Sequence, residues 1–361
     1  MQDIPTPGAA PIARRRFLGL TAATGVGLTL GAGPIGASLA SAAAPPTIHP
    51  TSSWGAVPPS SAVEMLNQAP KKLFIHHTAT GNSTDYSLAH GQALARSIQR
   101  DHMNRGWIDS GQQFTLTRGG HALEGRHRSL EALRNGRVHV QGAHCTAQND
   151  VAVGIENEGN YMTVDMRAEH YAVLVDFSTY ICSQFGIRAY QIYGHRNFNA
   201  TDCPGDRLYA MLPRLRSDVA ARIGGDPTPP AWPTLRRGDR AERVKALQYL
   251  LRSRGATIEV DGDFGAATEA AVRDFQGRTK ASSDGVAGSQ TWNQLAWYLT
   301  RGASGEAVKA VQNQLVANGI SVAVDGAFGP GTETGVKTFQ NRVSLTADGI
   351  VDPRTLSRLL A

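Results

Sequence analysis

The chain has 361 residues, which is enough for two or three domains. Hydrophobic residues make up 41% of it and charged residues 18%, so the composition is typical of a folded globular protein and too apolar for intrinsic disorder. The formal net charge is +6, and Arg14-Arg15-Arg16 is the longest run of basic residues. This mild basic bias suits loose attraction to an anionic polymer surface. The sequence has no aromatic-plus-basic signature, which argues against nucleic-acid binding.

Residues 1–44 have the features of an export signal. The arginine run precedes a weakly apolar, Gly/Ala-rich stretch at residues 19–39, and residues 40–44 offer A-x-A cleavage sites. The alternative is a membrane anchor, but four glycines between Gly25 and Gly33, followed by Pro34, make a poor spanning helix. The sequence therefore predicts a cleaved signal of the twin-arginine type, no stable membrane insertion, and a secreted or cell-wall location.

Residues 47–223 alternate between short apolar runs and amphipathic helical patterns, which predicts an α/β domain. Strands are predicted at residues 73–75, 114–117, 151–155 and 190–193. Helices are predicted at residues 85–103 and 166–185, the second with an apolar stripe and with Gly186 as its stop signal.

Residues 224–233 hold four prolines and read as a stiff linker. Beyond it the sequence repeats without gaps at a period of 64 residues, so that Gln248 recurs as Gln312 and Asp261-Gly262 as Asp325-Gly326. Such a register indicates a duplication, and it predicts two three-helix, all-α modules at residues 234–298 and 299–361. The acidic DGxFG turns are expected to be capped turns, since a calcium loop needs more ligands at wider spacing.

The stretch at residues 193–205, YGHRNFNATDCPG, is the strongest candidate for a functional site. It places His195 and Cys203 eight positions apart, while a predicted strand ends at His76-His77. Two imidazoles and one thiolate suit a catalytic zinc site with a fourth position left for water, whereas a structural site needs four ligands. Spacing alone leaves open the alternative of a buried free cysteine and loop histidines.

The expected state of the other two cysteines depends on whether Cys203 binds a metal. If Cys203 binds a metal, Cys145 and Cys182 remain either as a disulfide pair in an oxidising compartment or as two unpaired thiols.

Five motifs in order resemble the zinc N-acetylmuramoyl-L-alanine amidases, a family that includes the peptidoglycan recognition proteins. The resemblance covers residues 48–215, and the two C-terminal repeats resemble the three-helix peptidoglycan-binding module of wall hydrolases. It implies a central mixed β-sheet flanked by helices, Zn²⁺ as cofactor and peptidoglycan (muramyl peptides) as partner. The motifs are His76-His77-Thr78-Ala79-Thr80, Arg105-Gly106-Trp107, Glu124-Gly125-Arg126, Gly142-Ala143-His144 and Gly194-His195-Arg196 with Cys203-Pro204-Gly205.

The resemblance assigns the three zinc ligands to His76, His195 and Cys203. His77 then becomes a neighbour that packs or hydrogen-bonds. The resemblance also implies that Thr201 contacts the substrate carbonyl or its oxyanion, and that His144 binds substrate.

The general base is less direct. Gln112 stands where the recognition proteins place a catalytic tyrosine, and glutamine cannot act as a base. The bacterial and phage members instead use a glutamate in a GIE strand, which matches Glu156. Glu158 shares its strand face and competes for the role.

These features predict hydrolysis of the amide between N-acetylmuramic acid and L-alanine, with the two repeats acting as tethers to the wall. On this view, removal of residues 234–361 should spare hydrolysis of small soluble muropeptides. The alternative is a non-catalytic peptidoglycan-binding protein, which Gln112 favours and Cys203 opposes. A third possibility, an unrelated zinc peptidase that cuts within the stem peptide, is not supported because the sequence has no HExxH motif. The stem-peptide preference and oligomeric state stay open, with a monomer favoured.

Overall fold

Eight short strands and ten α-helices occur within residues 45–361, the part of the chain that the computed structural model describes. The predicted export signal at residues 1–44 lies outside these described residues. The strands are Ile48–His49 (β1), Met65–Leu66 (β2), Lys72–His77 (β3), Phe114–Leu116 (β4), Ala122–Glu124 (β5), His139–Val140 (β6), Ala152–Asn157 (β7) and Ile192–Gly194 (β8). The helices are Leu88–Asn104 (α1), Ser129–Asn135 (α2), Ala168–Phe185 (α3), Asp206–Ile223 (α4), Glu242–Ser253 (α5), Ala266–Thr279 (α6), Ser289–Leu295 (α7), Glu306–Ala317 (α8), Pro330–Arg342 (α9) and Pro353–Leu359 (α10).

Six strands form one mixed sheet in the order β1-β5-β4-β7-β3-β8. All neighbours are parallel except β4 and β5, which are antiparallel. The strands β2 and β6 pair separately. The predicted α/β class with a central mixed sheet is therefore confirmed.

The central strands β3 and β7 are buried on both faces, as expected for parallel strands covered on both sides. One face packs under α3 and α4, and its buried side chains include Leu73, Ile75, Val153, Ile155, Leu174 and Leu212. Each fully buried side chain of this size contributes about 1.5–3 kcal/mol to folding. The other face buries a smaller cluster: Phe74, Cys145, Ala152, Tyr193 and Phe198.

The predicted elements occur with shifted ends. Helix α1 begins at Leu88 rather than at residue 85, because the Ser87 hydroxyl accepts the His90 N–H and caps the helix there. Helix α3 ends where predicted, at Gly186, whose φ of +68° is left-handed. The strand predicted at residues 190–193 starts later, since Ala189–Gln191 form a short 3₁₀ helix before β8.

The C-terminal region forms the two predicted three-helix modules, repeat 1 (α5–α7) and repeat 2 (α8–α10). In repeat 1, the Gln248 amide donates to Asp261 Oδ1 at 2.7 Å and accepts the Gly262 N–H at 3.0 Å. Asp261 Oδ1 also accepts the Asp263 N–H at 2.8 Å, which is the geometry of a capped turn. Repeat 2 has the same arrangement around Gln312.

One continuous hydrophobic core runs through both repeats. Repeat 2 also contacts the sheet domain, where Arg188 forms ion pairs with Asp348 at 3.1 Å and Asp352 at 3.0 Å. The linker packs as well, since Trp232 donates to Asn293 Oδ1 at 2.7 Å. These contacts differ from the predicted picture of modules tethered only by a stiff linker. None of the helices within residues 45–361 has the length and apolar character that crossing a membrane requires.

The turn contacts of Gln312 generate a stability prediction. Its side chain makes three donor contacts and accepts the buried Gly326 N–H at 2.8 Å. We expect Gln312→Ala to lower the free energy of unfolding by about 2–3 kcal/mol, because the buried N–H loses its partner. Urea unfolding followed by circular dichroism measures the change. Asn341→Ala, at an exposed position of the same repeat, is the control and should change it by less than about 0.5 kcal/mol. Equal values for both variants would contradict the prediction.

Candidate metal centre

Three side chains from two distant parts of the chain converge at one edge of the sheet. The possible ligand atoms of His76, His195 and Cys203 all lie within 4.8 Å of one another. Cys203 Sγ is 3.5 Å from His76 Nδ1. The sequence-predicted ligand set is thus brought together, while the His77 side chain is not part of this group and its Nδ1 accepts the Tyr161 N–H at 3.3 Å.

The strand arrangement explains this convergence. His76 is near the carboxyl end of β3, and His195 directly follows β8, its parallel neighbour. Carboxyl ends of parallel strands meet at the same sheet edge, which is where open α/β sheets bind ligands.

Cys203 lies on the loop between His195 and α4. Its carbonyl accepts the Arg196 N–H at 3.0 Å, and its own N–H donates to Thr201 Oγ1 at 3.2 Å. Gly205 then turns the chain into α4 with a φ of +90°, and a Cβ there would lie 2.4 Å from the Tyr161 carbonyl carbon. Glycine is therefore required where this loop passes Tyr161.

His76 is held in one tautomer by His144. His144 Nε2 lies 3.4 Å from the Ala152 carbonyl, which can only accept, so His144 carries its proton there. Its Nδ1 is then an acceptor for His76 Nε2, 3.1 Å away. This leaves the lone pair of His76 on Nδ1, the nitrogen that faces Cys203. Gly154 makes room for His144, because a Cβ would lie 2.8 Å from its Cγ.

The electrostatics suit a soft or borderline cation. Burial, together with the neighbouring His195 and His144, lowers the pKa of His76 well below its usual value, so the imidazole is neutral. Burial raises the pKa of the Cys203 thiol to about 12. Two neutral imidazole nitrogens and one sulfur form the donor set that zinc prefers, and a cation would favour the thiolate. The residues present therefore fit a zinc ion.

Glu156 lies in β7 and Glu158 is the first residue after this strand, but the two carboxyl groups have different surroundings. Glu156 pairs in register with His76, so both side chains lie on one face of the sheet. It is half-buried, and burial raises its pKa to about 7. Glu158 is fully buried. Its Oε2 accepts the Arg118 backbone N–H, and its Oε1 lies 2.7 Å from His90 Nε2. Glu156 is thus the carboxyl group placed beside the ligand cluster.

The remaining predicted site residues surround the cluster. Thr201 is half-buried beside Cys203, and His144 lies behind His76. Gln112 is buried and donates to Thr115 Oγ1 at 2.9 Å, and Thr115 is the register partner of Glu156 on β4. All three cysteines are free thiols. Cys145 and Cys182 belong to hydrophobic clusters on opposite faces of the sheet.

Sequence reasoning missed Asn199, which lies on the same loop as two of the candidate ligands, His195 and Cys203. Its Oδ1 is 2.9 Å from His195 Nε2. The stretch contains three other polar residues of similar size, Asn197, Thr201 and Asp202, and nothing in a single sequence distinguishes Asn199 from them.

Comparisons with known proteins agree with this architecture. The family profile described as N-acetylmuramoyl-L-alanine amidase matches residues 66–206. The profile of a peptidoglycan binding domain matches residues 240–295 and 304–359.

Several known proteins are similar to about half of this chain. The N-acetylmuramoyl-L-alanine amidase of Sus scrofa is 34% identical over 189 residues, which are 49% of this chain and 29% of that protein. The Homo sapiens protein of the same name is 30% identical, and 33% of its length is covered. The chain thus spans about a third of these two mammalian relatives. The solved structure of wild-type Drosophila PGRP-LB is 30% identical, with a TM-score of 0.40 over 46% of this chain and 92% of that chain.

Peptidoglycan-recognition protein SC2 of Drosophila melanogaster is 32% identical over 165 residues, which are 45% of this chain and 83% of that protein. Together with the matched profiles, this similarity shows that the chain belongs to the N-acetylmuramoyl-L-alanine amidase family and carries two peptidoglycan-binding repeats after its sheet domain.

Proposed function

We propose that this protein hydrolyses the amide bond between the lactyl group of N-acetylmuramic acid and L-alanine in peptidoglycan. The observation that carries the proposal is the convergence of His76, His195 and Cys203, whose ligand atoms lie within 4.8 Å of one another. Family membership supports it, as does the placement of Glu156 on the same sheet face as His76. We further propose that the substrate is met outside the cytoplasm, after export by the predicted twin-arginine signal.

His76, His195 and Cys203 would hold a zinc ion through two nitrogens and one sulfur. When bound, zinc supplies Lewis-acid chemistry, which polarises an amide carbonyl and lowers the pKa of water towards 7.

Glu156 is proposed as the general base. It removes a proton from the attacking water and passes it to the departing nitrogen of L-alanine, which lets the amine leave as a neutral group. Its half-buried position keeps the carboxyl group poorly solvated, and a pKa near 7 makes it basic enough to accept a proton at neutral pH.

Thr201 and His144 are proposed to act around this reaction. The Thr201 hydroxyl accepts the Cys203 N–H and retains its own proton to donate to the substrate carbonyl oxygen as negative charge develops there. His144 orients His76 through the 3.1 Å contact, and its role in substrate binding stays a prediction.

The ligand assignment predicts a difference between two adjacent histidines. We expect His76→Ala to remove the zinc that the wild type holds at about one ion per chain, because two ligands no longer close the site. His77→Ala is the matched control and should retain the metal, since His77 bonds to the Tyr161 N–H instead. Elemental analysis of the purified full chains measures this. Retention of stoichiometric zinc by His76→Ala would refute the assignment.

The base assignment predicts that Glu156→Gln lowers kcat by roughly 10²- to 10⁴-fold while zinc content is unchanged. Glu158→Gln is the control, because Glu158 is held by His90 and Arg118, and we expect its kcat to change by only a few-fold. Activity is followed as release of stem peptide from a soluble muropeptide. A loss of equal size in both variants would contradict the assignment of Glu156.

Burial raises the pKa of Glu156, so a pH dependence follows. A base must be deprotonated, and the carboxyl group is protonated as the pH falls through about 7. We therefore expect kcat/KM to decrease on acidification, and a bound cation, which lowers the pKa of a nearby carboxyl group, moves this decrease to lower pH. A profile that rises below pH 7 is the contrary result.

Mass spectrometry of digested peptidoglycan tests the reaction itself. Free stem peptides that begin at L-alanine are expected from the wild type, and none after treatment with a chelator. Peptides cut internally would indicate a peptidase instead. A protein that binds peptidoglycan but yields no product would support the non-catalytic alternative, to which Gln112 points.

A further inference from the structure

The loop that carries His195 and Cys203 is covered on its outer side by repeat 1. Helix α6 ends at Thr279, and the last carbonyls of a helix have no partner within it. Two of these carbonyls accept from the loop instead. Thr279 O accepts Asn199 Nδ2 at 2.7 Å, and Lys280 O accepts the Ala200 N–H at 2.7 Å.

Helix α7 supplies the complementary donors. Four successive loop carbonyls, those of residues 196–199, each accept a side-chain amide from repeat 1. Gln290 Nε2 donates to Arg196 O at 2.9 Å and Asn199 O at 2.8 Å, Asn293 Nδ2 to Asn197 O at 3.1 Å, and Gln294 Nε2 to Phe198 O at 3.1 Å. Gln294 Oε1 also accepts Gln148 Nε2 at 2.6 Å. Residues 196–200 of the loop are therefore hydrogen-bonded to repeat 1.

These amide side chains distinguish the two repeats. At the period of 64 residues, Gln290, Asn293 and Gln294 correspond to Arg354, Ser357 and Arg358 in repeat 2. The glutamines that hold the turns inside each module, such as Gln248 and Gln312, are the same in both. The amides that differ between the repeats are therefore those that contact the loop, although Gln290 Oε1 also accepts the Ser282 N–H at 2.8 Å within repeat 1.

The orientation of the Asn199 amide follows from its neighbours. Thr279 O can only accept, so the atom facing it is Nδ2. The other atom, Oδ1, accepts the Thr146 N–H at 3.1 Å, and so it is an acceptor for His195 Nε2 at 2.9 Å. His195 must therefore carry its proton on Nε2, which leaves the lone pair on Nδ1 for a metal.

We infer that repeat 1 is a structural part of the metal centre, and that Asn199 is the positioning residue through which it acts. Repeat 1 fixes the Asn199 amide, and that amide fixes the tautomer and ring orientation of His195. This inference rests on the proposed zinc site, and it also bears on the metal-free protein. The expectation that residues 234–361 can be removed without harm to hydrolysis of small muropeptides is at odds with these contacts.

The tautomer of His195 is a direct test that needs no metal. Long-range ¹H–¹⁵N correlation spectra of the metal-free full chain, labelled at histidine, distinguish protonation at Nε2 from protonation at Nδ1. We expect the Nε2–H form in the wild type and a mixture of both forms in Asn199→Ala. The same spectrum for both proteins would overturn the role given to Asn199.

Zinc affinity, measured by competition with a chromogenic chelator, tests the contribution of repeat 1. Loss of a partner that orients a ligand lowers metal affinity by roughly 10- to 100-fold, which is the expectation for Asn199→Ala. Gln294→Ala and Gln290→Ala, both in repeat 1 and neither in contact with a ligand, should also weaken binding. Arg358→Ala, the exposed counterpart of Gln294 in repeat 2, is the matched control and should leave affinity unchanged.

Asn199→Asp separates the two contacts of this side chain. A carboxylate still accepts from His195 Nε2 but repels Thr279 O, so we expect the tautomer to be kept and zinc affinity to lie between those of wild type and Asn199→Ala. Circular dichroism confirms that each variant is folded. If Asn199→Ala does not fold, Gln290→Ala, at a half-buried position, replaces it in the affinity measurement.

Wild-type affinity in both Gln294→Ala and Gln290→Ala would overturn the inference. A wild type that binds no zinc would instead refute the proposed function, and the tautomer measurement would then decide the role of Asn199 alone.

Discussion

The parallel pairing of β3 with β7 on one side and β8 on the other is the constraint on which the rest of the structure depends. It brings His76, Glu156 and His195 to one sheet edge, although they are far apart in sequence. A slip of one residue in either pairing would turn a side chain to the opposite face, into the core under α3 and α4. The apolar residues that alternate with them, such as Ile75 and Ile155, hold the register because they must stay buried.

Much of this architecture could be predicted because it is recorded in side-chain patterns. The stripe on α3 and its glycine stop gave that helix to within two residues at its start. The period of 64 residues revealed the two helical modules. The candidate ligand set was harder to predict. Spacing alone did not separate a zinc site from a buried cysteine and loop histidines, and the resemblance to a family was needed to choose His76 over His77.

The contacts between repeat 1 and the loop could not be predicted, for a physical reason. Thr279 and Lys280 take part through backbone carbonyls, and residues 196–199 likewise accept through theirs. A carbonyl is the same at every position, so the sequence carries no sign of which ones are used. Only the amides of α7 have a sequence signature, and it becomes visible when repeat 1 is set beside repeat 2. His144 is similar, since its hydrogen bond to His76 depends on the space left by Gly154.

The hydrophobic core that continues from repeat 1 into repeat 2 has a mechanical consequence. Two modules that share one hydrophobic core move as one body, because bending between them would expose apolar surface to water. If such modules bind a glycan strand, the distance between the bound sugar and the bond that is hydrolysed under the proposed function is fixed. The protein would then act at a fixed distance from its contact with the glycan, and it would reach only those stem peptides that lie at that distance.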